Sequence, residues 1–365
     1  MRNTKSPVAR AKEFSARLGI RLPVLLAPMA GACPPSLSIA VANAGGMGAC
    51  GALLMKPDEI AAWCTEFRAY SREEFQINLW IPGPPPGRDA ERERRQREYL
   101  AQWGPEVAES AAEGLLPDFS AQCGAMLEAR PKAISSIMGL YAPEFVREMK
   151  VRGILWFATA TTLAEARAAE AAGADAIIAQ GMEAGGHRGA FDPCQAERRM
   201  VGLFALLPQV ADTVAVPVIA AGGIADGRGM AAALMLGASA VMIGTGFLRC
   251  PEAMINPAWA EALGGTEADE TMITSAFTGR PGRGVANAFA QRSAGPEAPL
   301  PAPYPLQRGL TRAMREAASK AGDVDRMQMW AGQAAKLART EPAEEITKSL
   351  WREAEKLLSQ ERFDY

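Results

Sequence analysis

One stretch of this 365-residue chain gathers residue types that could do chemistry: Gln180-Gly181-Met182-Glu183-Ala184-Gly185-Gly186-His187-Arg188-Gly189. It holds the chain's single histidine. Imidazole is the side chain whose ordinary pKa lies nearest neutrality, so if the chemistry needs a base that titrates there, His187 is the histidine available. A lone histidine is more often a plain surface or core residue. Here four surrounding glycines let the backbone approach a flat or anionic ligand, and that context favours an active-site role. Two further glycine pairs occur in Ala221-Gly222-Gly223-Ile224 and Met242-Ile243-Gly244-Thr245-Gly246. Backbone N–H groups at such turns, with the Thr245 hydroxyl, suit a phosphate. Each pair alone also fits a tight turn; together they imply a phosphorylated cofactor. Asn78, in Phe75–Trp80 beside Gln76, either satisfies a neighbour or bonds a ligand, and an amide there suits the edge of a flavin ring. In Ala27-Pro28-Met29-Ala30-Gly31, Met29 is either packing against a ring face or ordinary core.

These residues need a frame. Eight apolar runs recur: 23–29, 47–54, 75–80, 133–138, 153–159, 176–181, 217–223 and 240–247. They are continuously apolar rather than alternating, as parallel strands covered on both faces are. Ala- and Glu-rich segments such as Thr161–Ala172, stopped by Gly173, lie between them and read as helices. Eight alternations over about 230 residues predict an α/β fold, a (β/α)8 TIM barrel. A doubly wound sheet is the alternative, but the first run lacks its Gly-x-Gly-x-x-Gly turn. The candidate residues then fall at the C-terminal ends of strands, where barrels keep their chemistry, and the glycines after the last two strands fall where barrels often bind phosphate.

Two stretches break the repeat. Residues 82–120, with a charge run at Arg88–Glu98, read as an insertion after strand 3 whose charges most simply form a solvated helix face, a lid or dimer contact being the sharper alternative. The expected division is a cofactor-binding barrel over 1–250 and a mainly helical extension over 251–365 that covers the active-site side. Its last helix is expected near Pro342–Leu358, with Ile346, Leu350, Leu357 and Leu358 at helical spacing.

Composition narrows the function classes. With 39 basic and 41 acidic side chains, a net charge of −2, the chain offers no electrostatic footprint for nucleic acid. No run reaches the ~18 apolar residues of a membrane span, and the charged first twenty residues do not read as a signal peptide. Six scattered cysteines form no Cys-x-x-Cys pair and read as reduced thiols of a cytoplasmic protein. One histidine and dispersed carboxylates give no metal-ligand spacing, so no metal is expected.

The segments LAPMAGA (26–32), FQINLW (75–80), AQGMEAGGHRG (179–189), IAAGGIADG (219–227), VMIGTGF (241–247), TGRPGRGVAN (278–287) and YPLQRGLTR…MWAGQ (304–333) resemble the nitronate monooxygenases, formerly 2-nitropropane dioxygenases. These are FMN-dependent barrels grouped with flavin-type enoyl-ACP reductases and some NADH:quinone reductases. The resemblance spans nearly the whole chain, and its C-terminal part points to the monooxygenases. It implies FMN contacts at Pro28, Met29, Asn78, Gln180, Gly185, Gly222, Gly223, Met242, Ile243, Gly244 and Thr245, with His187 as the active-site histidine. It also implies oxidation of an alkyl nitronate by O2 to a carbonyl compound and nitrite; a homodimer is compatible with this reading. The alternative is an NAD(P)H-dependent flavin reductase, whose nucleotide phosphates would favour Arg280 and Arg283, although a salt-bridged loop also accounts for both. Ser135-Ser136-Ile137-Met138-Gly139 departs from the bulkier or more polar residues expected of relatives, a change that implies either a wider pocket or a different substrate choice.

Overall fold

The computed structural model describes residues 5–113 and 116–359. The strands are β1 (Val24–Leu26), β2 (Gly48–Gly51), β3 (Phe75–Trp80), β4 (Ala133–Ile137), β5 (Leu155–Ala160), β6 (Ala176–Gln180), β7 (Gly186–His187), β8 (Val218–Ala221), β9 (Ala240–Ile243), β10 (Thr271–Thr274) and β11 (Gly282–Val285). Eight of them form one parallel sheet in the order β1-β9-β8-β6-β5-β4-β3-β2. A parallel bridge between Leu25 and Met47 joins its two ends, giving the (β/α)8 barrel.

Alternation explains why the runs look uniformly apolar. Leu25, Phe157, Ile178, Ile219 and Met242 pack inside the barrel, while Val24, Leu26, Ile177, Ala179, Val241 and Ile243 pack outward against helices. The helix Pro7–Leu18 closes the bottom with Phe14 and Leu18. The runs at 47–54 and 240–247 stay extended only to Gly51 and Ile243, then tighten into single 3-10 turns, because strand ends must bend away to form the barrel mouth. Between β5 and β6, Thr162 and Glu165 form a capping box on the helix Leu163–Ala171.

The charge run behaves differently from a wholly solvated face. It forms the helix Ala90–Leu100, whose Arg94 pairs with Glu91 and Glu98 in solvent. The opposite face is buried. Glu93 is covered and paired with Arg88, Gln96 donates to Pro299 O at 2.7 Å, and Leu100 joins Phe277, Phe289 and Leu310 in a separate core. The insertion therefore packs on the C-terminal region.

The final helix, Ala343–Ser359, returns to the barrel flank and packs against helices Gly227–Met235 and Pro35–Asn43. Ile346 and Leu350 enter the core as their spacing predicts, whereas Leu357 is 43% exposed and faces solvent. Leu350→Ala is expected to cost roughly 3 kcal/mol through transfer loss and the cavity left behind, read as a lower urea midpoint at constant slope.

No helix among the described residues is long and apolar enough to cross a membrane. The six cysteines are free thiols, five of them buried.

Candidate active site

A cavity of about 590 Å³ opens at the C-terminal mouth of the barrel. The loop after β1 supplies Pro28 and Met29 to its wall, and β3 contributes Asn78 and Trp80. The β6 loop brings Gly185 and His187, while the turns after β8 and β9 bring Gly222, Gly223, Gly244 and Thr245. The far wall comes from distant sequence: Thr278, Tyr304, Arg308, Trp330 and Gly332.

His187 is held from both sides. Its segment β7 pairs antiparallel with β11, Gly282 opposite His187, and β11 pairs in turn with β10. Trp80 and Trp330 meet the imidazole edge-on at 4.6 and 4.8 Å between centroids. Tyr304 lies farther off at 6.4 Å. Nε2 is 2.9 Å from Thr278 Oγ1, which itself lies 3.2 Å from Arg280 O. Burial, and after it the charges of Arg280 and Arg308, push the imidazole pKa down to about 3. The ring is neutral across the working pH range.

The Thr278 hydroxyl has one proton to give. Donated to Arg280 O, it leaves Oγ1 accepting from His187 Nε2–H, with Nδ1 free as an acceptor. Donated to Nε2, it places the ring proton on Nδ1. One hydroxyl rotation thus exchanges a proton acceptor for a proton donor without charging the ring.

The other predicted residues separate into groups. Gln180 lines the cavity, yet its amide mainly carries the β6 loop: Oε1 accepts from Gly189 N at 2.8 Å and Nε2 donates to His187 O at 3.2 Å. Asn78 is buried and donates through Nδ2 to Ser135 Oγ and O at 3.0 and 3.2 Å. No protein donor among the described residues reaches its Oδ1, so the neighbour and the cavity share this side chain. Met242 faces the cavity, but Ile243 points outward into the barrel–helix core, one residue out of phase. Ser135 and Ser136 do not line the wall: Ser136 accepts from Trp156 Nε1, and Ile137 occupies the mouth. The two serines therefore act on the pocket only through the strand that carries Ile137.

The phosphate reading rests on backbone. Gly222 and Gly223 adopt φ of +107° and +69°, which side-chain-bearing residues rarely hold. No acceptor among the described residues takes the N–H groups of Gly222, Gly223 or Gly244. Thr245 Oγ1 accepts from Gly332 N at 3.0 Å and keeps its own proton to donate. Unused donors beside a mouth walled by Met29 and Asn78 fit a phosphorylated flat ring.

Sequence reasoning assigned no role to Thr278, Tyr304, Arg308, Trp330 or Gly332, although the motifs at 278–287 and 304–333 contain all of them. It left two arginines open between a nucleotide-phosphate cluster and a salt-bridged loop, and the structure gives a loop without the salt bridges. Arg280 Nη2 donates to Ala190 O at 2.6 Å, and Arg283 donates to Met182 O and Thr271 Oγ1, both at 2.9 Å. Neither lines the cavity and neither pairs with a carboxylate; both brace loops.

The profile of the nitronate monooxygenase family matches residues 12–353, almost the entire chain. The chain belongs to the nitronate monooxygenase family. A nitronate monooxygenase of Paraburkholderia phytofirmans is 42% identical, covering 94% of this chain and 95% of its own. Among solved structures, nitroalkane oxidase from Streptomyces ansochromogenes superposes with a TM-score of 0.87 at 36% identity, over 94% of this chain and 99% of that one. FabK from Thermotoga maritima reaches a TM-score of 0.74 at 29% identity, over 96% and 98%. Membership of the nitronate monooxygenases makes the chain an oxidoreductase.

Proposed function

We propose that this enzyme oxidises alkyl nitronates with O2, using FMN, to a carbonyl compound and nitrite. The observation that carries the reading is a neutral imidazole whose proton can sit on either nitrogen, beside a cavity lined with unused backbone donors. FMN would lie with its ring near Pro28, Met29 and Asn78 and its phosphate near Gly222, Gly223, Gly244 and Thr245. The chemistry FMN supplies when bound is acceptance of electrons from the nitronate and their return to O2.

The chain's own residues do the rest. With the ring proton on Nδ1, His187 donates a hydrogen bond to a nitronate oxygen and orients the reacting carbon. With the proton on Nε2, Nδ1 accepts a hydrogen bond instead; a ring held at a pKa of about 3 is too weak a base to take the C–H proton of a nitroalkane, which favours the preformed nitronate as substrate. Trp80, Trp330 and Tyr304 exclude water around this step. Arg280 and Arg283, the arginines suggested for a reductase's nucleotide phosphates, are turned to backbone carbonyls instead, which favours the monooxygenase reading.

Anaerobic mixing of the flavin-loaded protein with a nitronate, and separately with NADH and NADPH, tests the reading. Rapid loss of the visible flavin band with nitronate alone is expected. Bleaching by a nucleotide but not by nitronate overturns it.

A further inference from the structure

Among the described residues, every arginine near the cavity but one gives at least one side-chain hydrogen bond, although Arg188 and Arg280 each keep a buried Nε without a partner. Arg188 donates to Gly181 O, Arg280 to Ala190 O and Arg283 to Met182 O. Arg315 donates to Thr311 Oγ1 and to Arg308 O. The Arg308 guanidinium makes no hydrogen bond and no ion pair among the described residues, yet it is half-buried and lines the cavity. Beside it stands the Tyr304 hydroxyl, buried and also without a partner. A buried hydroxyl without a partner is costly unless a ligand completes it, and beside it the half-exposed guanidinium keeps all its N–H donors available.

The carboxylates nearby do not fill this need. Glu183 spends its oxygens on Leu203 N, at 2.8 and 3.0 Å. Glu316 also lines the cavity and attracts Arg308 from beyond ion-pair distance, but it is largely exposed and its ion pair, at 4.0 Å, is with Arg312. His187 is neutral and supplies no charge.

We propose that Arg308, with the Tyr304 hydroxyl, is the specificity-determining element of the pocket: it binds a planar oxyanion and so selects an anionic nitronate over its uncharged nitroalkane conjugate acid. This rests on the function proposed above. Nitronate and nitroalkane share one carbon skeleton, so shape separates them poorly and charge separates them well. A guanidinium with free N–H donors matches two oxygens on one nitrogen as it matches a carboxylate.

The test uses holoenzyme, with nitrate as an unreactive planar oxyanion titrated calorimetrically at constant ionic strength, and steady-state kinetics on a nitronate. Arg308→Gln should weaken nitrate binding and raise KM for the nitronate roughly 10- to 100-fold, the size of a lost charge-assisted hydrogen bond, with kcat changed far less. Arg308→Lys should recover most of both losses, which a merely structural role would not produce. Unchanged nitrate affinity and KM in Arg308→Gln overturn the proposal, as do equal losses in the lysine and glutamine variants or a wild type that ignores nitrate. A wild type that binds nitrate through Arg308 but leaves nitronates untouched keeps the anion site and discards the proposed reaction.

Discussion

His187→Gln is expected to lower nitronate turnover by roughly 100- to 10,000-fold while bound flavin stays at the wild-type level, the range spanned by loss of a positioned proton donor or acceptor. Glutamine preserves a polar side chain of similar reach but cannot exchange donor for acceptor at one atom. Trp80, Trp330 and Thr278 remain in place around it, so the loss reports chemistry rather than collapse. Wild-type turnover should show no inflection near pH 6.5, because the ring titrates at about 3. The same shift sets a stability slope. Unfolded, the imidazole takes up its proton near 6.5; folded, only near 3. Between those values the unfolded chain binds more protons, so stability falls as the pH drops through that window. Urea midpoints at pH 7 and pH 5 should differ more in wild type than in His187→Gln; equal differences would show an ordinary imidazole.

Gly185→Ala should empty the enzyme of flavin. An added Cβ would stand 2.5 Å from Gly332 N, 2.7 Å from the Ala331 carbonyl carbon and 2.9 Å from Thr245 Oγ1. None of these is the tip of a flexible side chain. The methyl group must therefore push the 331–332 backbone away and break the Thr245–Gly332 hydrogen bond, opening the phosphate side of the cavity. Colourless purified protein whose far-UV spectrum matches wild type is the expected outcome. Full flavin occupancy in Gly185→Ala would remove Gly332 from the cofactor's surroundings.

What could be read from sequence follows from the range of the interactions. The barrel was legible because strands buried on both faces must be apolar at every position, and eight such runs admit few arrangements. That same uniformity hid which residues face inward, which is why Ile243 was grouped with Met242. The β6 loop was legible because four glycines around one histidine are a local signal. What holds that histidine was not: β7 is two residues long, too short for any periodicity, and its partner β11 lies far along the chain. Arg280 and Arg283 carry their charge in the sequence but not their direction, and both turn to carbonyls that only the fold brings near. Arg308 sits in a motif that resembled the family, and only the geometry reveals that its guanidinium has no hydrogen-bond or ion-pair partner among the described residues.

The pairing of β7 with β11 also dictates an order of events during synthesis. His187 leaves the ribosome 91 residues ahead of Thr278, and the backbone that closes on Thr245 comes later still, at Gly332. A nascent barrel can thus assemble its strands, N-terminal part first, long before it has a site able to retain a cofactor. A chain cut short before Gly332 would lack the hydrogen bond that closes on Thr245 and, with it, one wall of the proposed flavin site.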